Sequence, residues 1–468
     1  MKHRVFITTI LLSVLHLQGQ YIDTIWEYVP APGQYINTSI GIPSAADSLV
    51  GGLDGTLSLG AFGGYLVFSF EQPVENDPAN PFGIDFTLFG NALPGWSEPG
   101  IVWIMEDENN NGLPDDTWYE LAGSDHFFSS TKYDYQVTYT NPGAAADVPW
   151  NGSGQESGVI HHTSYHTQPY YPEQIHFPTI SQESYVLGGT QIETLINDSD
   201  PAFLKSALRT FGYADNHPIG SPPFYLPDNP YTPAIENSGG DGFDISWAID
   251  EQGRYVDLQQ ADFIKVQTGV LLQGEYLGEV STEIRGAVDV APGESISEPF
   301  TLINIKELPA SLSPGTYPLE ACVFRNGRYL SGEEILWNCN QAWASVDNDG
   351  RLEITGTGDV TITASLRSDA TVESSVEVTV ASSSGTSTQR GALDQPLVYP
   401  NPAAGFLSIS IAEPGTVRIT DMAGRLCMIK TVNGEAELDI HGLMPGMYTL
   451  LFVSSETSAS TRLIVKQQ

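Results

Sequence analysis

The sequence predicts an all-β protein of several domains, and three observations carry that reading. Its 468 residues include 46 Gly and 31 Pro but only 16% charged residues, a mixture that suits short strands joined by tight turns. Aromatic residues are plentiful, with 21 Tyr, 19 Phe and 8 Trp, which is core material enough to exclude a disordered chain. Apolar residues recur with a period of two in short runs bounded by Gly, Pro, Asn or Asp, as strands with one covered face do. At roughly 150 residues per domain the length implies two to four domains. Charge narrows the partners. Lys and Arg total 19 against 57 Asp and Glu, a net of -38, and such a body is repelled by nucleic-acid backbones and anionic lipid surfaces.

Taken in order, residues 1–19 read as a cleavable export signal. Lys2, His3 and Arg4 are followed by a mostly apolar run over 5–17 and a small residue at Gly19. That run is too short to span a ~30 Å hydrocarbon layer, and no later stretch reaches the ~20 apolar residues needed, so no direct membrane insertion is expected. Residues 20–290 form the largest unit. Alternating runs at 65–70, 84–89, 101–105, 135–139 and 263–267 are expected to be strands of a sandwich. Residues 199–211 (SDPAFLKSALRTF) place Phe203, Leu204, Ala207 and Leu208 on one helical face behind Pro201, which predicts a short surface helix.

Residues 291–380 read as a separate small sandwich, with a strand from Leu319 entering an Asn326-Gly327 turn. Residues 381–396 (ASSSGTSTQRGALDQP) are small and polar, a flexible linker. Residues 397–468 form a last, small β-sandwich. Three cysteines, Cys322, Cys339 and Cys427, are too few for a disulfide scaffold and lack zinc spacing. Cys322 and Cys339 are close enough in sequence to bridge two strands, and Cys427, in an alternating segment, is expected to be buried.

The residues that carry chemistry are oxygen donors. Asp107–Asp116 (DENNNGLPDD) places Asp107, Asn109, Asn111 and Asp115 at relative positions 1, 3, 5 and 9, with Gly112 at position 6 and the Leu113 carbonyl at position 7. That spacing suits Ca2+ as a structural ion. Position 12 is Trp118, so Asp116 or Glu120 would supply the last ligand; a plain polar turn is the alternative. A second polar group, Asp215, Asn216, Asp241 and Asp244, lies in a Pro-rich loop over 213–244 that also holds Asp228. Such long loops are often functional. With Trp96 and Glu98 these four residues are the candidate ligand-binding set, and an ordered cover over a sheet edge is the alternative. Four histidines over 161–176 lack a metal-ligating pattern. Catalytic templates fail: there is no G-x-S-x-G elbow and no phosphate-binding loop. Glu98 and Glu106 are the first pair to inspect for glycoside hydrolysis, while Trp96, Trp118 and Trp150 are candidates for stacking on sugars.

Three resemblances add to this reading. Residues Trp337–Gly350 and 352–364 (LEITGTGDVTITA) resemble the group 2 bacterial Ig-like domain. Tyr399-Pro-Asn-Pro402, residues 417–425 and residues 443–448 resemble the C-terminal sorting domain of the type IX secretion system of Bacteroidetes, which implies handling by that machinery and delivery to the cell surface or beyond. Segments 58–64, 83–91, 97–100, 242–246 and 278–283 resemble a recurring family of Bacteroidetes cell-surface proteins, which implies a jelly-roll-like head over 20–290. The functional expectation is a secreted surface protein with a calcium-stabilised head that captures an extracellular nutrient, small molecule or glycan, without catalysis. A polysaccharide-active hydrolase and a structural or adhesion component of the surface are the alternatives.

Overall fold

A computed structural model describes residues 20–197, 204–218, 240–274, 277–289, 296–347 and 349–381, and, nearer the C-terminus, 397–410, 414–421, 426–433, 435–444, 446–454 and 458–465. The export signal, the linker, Asp228 and the first part of the expected helix lie outside these residues. The chain divides into two compact units, Met1–Ser383 and Ser384–Gln468. Nearly every regular element described is a strand, and no helix among the described residues is long and apolar enough to cross a membrane.

The centre of the first unit is a six-stranded antiparallel sheet in the order 248–249, 118–121, 100–105, 263–268, 65–69, 24–29. Period-two alternation decides what each face does. Val102, Ile104, Ile264, Val266, Leu66 and Phe68 point to one side, where they meet Phe86, Leu88, Phe243 and Ala287 of a four-stranded sheet ordered 20–21, 286–289, 86–89, 241–243. The two sheets enclose one core, a β-sandwich. On the other side, Val29 and Tyr65 pack with Tyr135, Val137 and Tyr139 of a third sheet, ordered 157–160, 148–152, 132–140, 184–191. All five expected strands are present, with ends displaced by at most three residues.

The expected surface helix is not formed over its described part. Lys205–Ser206 pairs as a short strand with Ile196–Asn197. Leu204 and Phe211 go inward to two different apolar clusters, so the helical spacing of apolar residues reflects two separate anchors. Arg209 explains the rest. Its guanidinium is buried and bonded to Asp125 and Glu307, each at 2.9 Å, and a helix lying on the surface could not deliver it there.

Residues 301–380 form three small sheets. Two of them share a core of Leu312, Leu352, Ile354, Val360, Ile362 and Val378. The third, 301–305 with 321–325 and 328–329, faces the larger body. Cys322 and Phe324 belong to the same apolar cluster as Trp247 and Phe211, and Phe324 meets Phe211 edge-on at 5.2 Å. The turn at Asn326 (φ 52°) and Gly327 (φ 71°) is left-handed at both positions, as the Asn-Gly pair predicts. A Cβ on Gly327 would collide with the Trp247 indole. Arg328 Nε donates to the Ser246 carbonyl at 2.8 Å, and the Tyr329 N–H donates to Tyr255 Oη at 2.7 Å. Cys322 and Cys339 are unbridged.

The second unit is a seven-stranded sheet arrangement ordered 426–432, 415–421, 446–454, 458–465, 397–404, 406–410, 435–439 around Leu407, Ile409, Val417, Ile419, Leu438 and Leu450. Cys427 is exposed, against expectation. Its neighbour Met428 packs on the core, so alternation turns Cys427 outward.

Two predictions follow from the packing. Phe324 is fully buried, and Phe324→Ala should cost about 3–5 kcal/mol. It should lower the denaturant midpoint of Trp fluorescence from the first unit, because Trp247 shares its cluster; an unchanged midpoint would mean that the hairpin merely rests on the surface. The second concerns Asp85, whose carboxylate accepts the Ile245 N–H at 2.8 Å and the Asp77 N–H at 3.3 Å. Burial, then the nearby Asp244 charge, push it up to about 8. Between the ordinary carboxylate value and 8 the folded state therefore holds a proton that the unfolded state has released, and stability falls as pH rises through that window. Asp244→Asn keeps an oxygen for its bond with the Ser246 N–H and removes the charge. The loss of stability from pH 5 to pH 8, measured in urea, should shrink in that variant.

Candidate functional site

The acidic loop 107–116 closes the hairpin between strands Gly100–Met105 and Trp118–Leu121, in which Met105 pairs with Trp118. Its conformation comes from carboxylates taking local N–H groups. Asp107 Oδ1 accepts the Asn111 N–H at 3.1 Å, and Oδ2 accepts the Gly112 N–H at 2.9 Å. The Leu113 N–H donates to Asn111 Oδ1 at 2.7 Å. Asn109 Nδ2 donates to Asp115 and Asp116 at 3.1 and 3.0 Å, and Asn111 Nδ2 donates to Asp115 at 3.1 Å. Asn110 and Gly112 take left-handed backbone at φ 57° and 72°. Four expected donors, Asp107, Asn109, Asn111 and Asp115, are thus drawn together with Asp116 at an exposed tip, and Leu113 adjoins them. Rotating the Asn109 amide by half a turn would present oxygen where nitrogen now faces the carboxylates, while the Asn111 amide is held in place by the Leu113 N–H. Glu120 is not available to this loop. It is buried in the sheet, bonded to His126 Nδ1 at 2.8 Å and to Thr190 Oγ1 at 2.5 Å.

The second candidate set divides. Asp215, Glu98 and Trp96 come together at the end of strand Gly100–Met105. Asp215 is fully buried in left-handed backbone at φ 53°. Its Oδ1 accepts the Asn91 and Ala92 N–H groups at 2.7 and 2.8 Å, and its Oδ2 accepts the Glu283 N–H at 2.8 Å. Its own carbonyl accepts the Glu98 N–H at 3.0 Å. One side chain thereby ties three segments, and the fit leaves no room for a side chain at Gly90, whose Cβ would strike the carboxylate. Asn216 and Asp241 lie next door. Asp241 accepts the Asn216 N–H at 3.0 Å and bonds His217 Nδ1 at 2.7 Å, while Asn216 Oδ1 accepts from Ser97 Oγ and the Arg209 N–H. Asp244 belongs elsewhere, beside Asp85.

Among the described residues, Glu98, Asp215 and Glu283 each bring a carboxylate oxygen within 4.8 Å of the others. Burial, then Glu283, then Asp215 hold the Glu98 carboxyl well above its usual range. Burial first and Glu283 next raise Asp215 despite its backbone bonds, and burial raises Glu283 to about 7. Glu283 is absent from the expected set, yet a signal exists. In the extended run 279–283 (EVSTE), alternation puts Glu279, Ser281 and Glu283 on one face, while Val280 and Ile284 enter apolar clusters on the other. Two acids on one face of a buried strand are rare enough to flag.

Other expectations are corrected by the geometry. Glu98 and Glu106 flank one strand on opposite sides, roughly 26 Å apart at ~3.3 Å per residue, too far to act on one glycosidic bond. Trp96 is a core residue, packed with Ile101, Tyr213 and Val280, and Trp150 packs against the third sheet's cluster. Trp118 is half-buried. With Trp103 and Tyr65 it surrounds Lys265, whose Nζ lies 5.4, 4.6 and 5.9 Å from the three ring centres. Burial draws the Lys265 amine down to about 8. The histidines are dispersed: His161 bonds Asp147, His162 lies against Tyr170, and His166 meets Tyr35 edge-on.

Comparison with known proteins adds one firm identification. A search of curated proteins finds no match. Among solved structures, the chain is similar to the titin Ig tandem domains A164-A165 at 12% identity and a TM-score of 0.14, covering 36% of this chain and 98% of that one. It is similar to dimeric latent PorU from Porphyromonas gingivalis at 12% identity and 0.18, covering 81% and 33%. For the S-layer protein rSbsC the values are 10% and 0.17, covering 87% and 53%. Scores this low carry no argument about fold or function. Residues 397–466 match the secretion system C-terminal sorting domain, and with that type IX tail the chain is a protein handled by the secretion machinery and exported to the cell surface or the extracellular space.

Proposed function

We propose that the exported protein is a binding protein whose head captures an extracellular glycan or small nutrient and is stabilised by calcium in the loop 107–116. The observation that carries this reading is the pairing of that loop with the aromatic patch next to it. Trp118 follows Asp116 by two residues, and its ring, with Trp103 and Tyr65, frames the Lys265 amine on a partly exposed face. Apolar ring faces beside a hydrogen-bond donor suit the two sides of a sugar ring. The likeness of the head to Bacteroidetes surface proteins and its jelly-roll-like reading belong to the same proposal, as does a spacer role for the middle module, which is docked on the head through Glu307, Phe324 and Arg328.

The capture reading is tested on a glycan array with the full chain. Binding that Trp118→Ala weakens tenfold or more is expected; no bound glycan or nutrient, or binding indifferent to Trp118 and Lys265, would leave an adhesion or structural role in its place. Calcium is tested by titration calorimetry. Extracellular sites of this kind hold Ca2+ at roughly 0.1–1 mM, so millimolar calcium should contribute about 1 kcal/mol. Asp107→Ala combined with Asp115→Ala should remove one weak equivalent. Identical titrations of the two proteins would reduce the loop to a turn.

A further inference from the structure

The Glu98, Asp215 and Glu283 cluster is separate from the loop and from the aromatic patch, and nothing above uses it. Three acids meet where the end of strand Gly100–Met105, the turn at Asp215 and the strand Glu283–Ile284 converge. Asp215 is fully buried, Glu283 is 3% exposed, and Glu98 is half-buried and leaves one approach from solvent. The charged groups that weigh most on Glu98 and Asp215 are themselves acidic. Backbone N–H groups serve Asp215, as described, and the Ser281 N–H reaches Glu98 Oε1 at only 3.4 Å. Glu283 is only half served: it hydrogen-bonds with the Ser281 and Ser58 side chains and with Glu98, while its Oε1 is buried without a partner, and an orphaned buried acceptor is costly, more so when charged.

We propose that Glu98, Asp215 and Glu283 form a buried calcium site in the head, distinct from the loop 107–116. The donor set is all oxygen, which selects a hard cation over zinc or copper. A site assembled from carboxylates on three separate segments, with oxygens no more than 4.8 Å apart, suits the flexible coordination of calcium better than the strict octahedron of magnesium. One further oxygen lies beside them: Asn91, whose N–H already bonds Asp215, has a buried Oδ1 without a partner. Three carboxylates binding through one or both oxygens, the Asn91 side chain and water through the Glu98 side would meet the six to eight ligands that calcium takes. Trp96, which hydrogen-bonds Glu98, is placed to sensitise a lanthanide at the same position.

The test uses the full chain carrying Asp107→Ala and Asp115→Ala, so that the loop contributes nothing. This parent is unfolded in denaturant, refolded in millimolar CaCl2 or in EDTA, and desalted. Retention of one calcium per chain after refolding in CaCl2 is expected, with a higher denaturant midpoint than after refolding in EDTA. Terbium in place of calcium should give luminescence excited through tryptophan, reduced several-fold by Trp96→Phe. Glu283→Gln should abolish retention and raise the midpoint in EDTA, because it removes a repelling charge without changing shape. Glu98→Gln, at the half-buried position, serves as a second variant if that protein folds poorly. A parent that retains no calcium and unfolds at the same midpoint in both buffers would overturn the proposal. That failure is distinct from failure of the loop reading, which is judged on the difference between wild type and parent.

Discussion

A shortage of cations governs how this protein is built. With three acids for every basic residue, a buried carboxylate seldom finds a Lys or Arg, and the chain turns to its own backbone. Asp215 is the clearest instance: three N–H groups from segments more than a hundred residues apart converge on one side chain. Its left-handed backbone and the bare Gly90 beneath it are the local adjustments that let it reach them. Arg209 is the counterexample. Buried, it divides its donors between Asp125 and Glu307 and thereby fixes 301–307 against the larger body. A buried charge is tolerated where its partners are complete.

The same surplus of acids organises the surface turns. Asp107, Asp250 and Asp347 each fold a loop by accepting N–H groups two to five residues ahead. This is the intrinsic turn chemistry of aspartate, and it makes the net charge of -38 partly architectural. At 107–116 the side chains also gather opposite one another, and among the described residues acids gather inside at Glu98, Asp215 and Glu283 and at Asp85 and Asp244. An acidic protein thus has many carboxylates and few places where they converge.

The strands were legible in the sequence because burial on one face enforces alternation, and Tyr65–Ser69, Gly100–Met105 and Phe263–Thr268 sit where that alternation puts them. The Asn326-Gly327 turn was legible because few other pairs accept two left-handed residues. What failed did so for want of partners. Leu204 and Phe211 mimic a helical face, yet each answers to a different cluster. Glu98 and Asp215 were marked as polar residues in or near a loop, but Glu283, their third member, is distant in sequence, and convergence across such spans leaves no local pattern. Cys427 erred in parity alone: alternation told that one face is covered, and the covered face belongs to Met428.

The pairing of Gln20 and Tyr21 with Asp289 and Val288, and the seating of Phe324 beside Trp247, have a consequence for biogenesis. The first strand of the body waits for a partner some 270 residues away in the chain, and the aromatic cluster closes only when the hairpin after it arrives. At a synthesis rate of about 5–20 residues per second, that is a delay of roughly 15–60 s during which ring faces meant for the interior stay uncovered. Topologies dominated by such distant pairings also fold slowly once complete. The nascent head is therefore a client for holding factors along its route, and its exposure to aggregation is set by chain order as much as by stability.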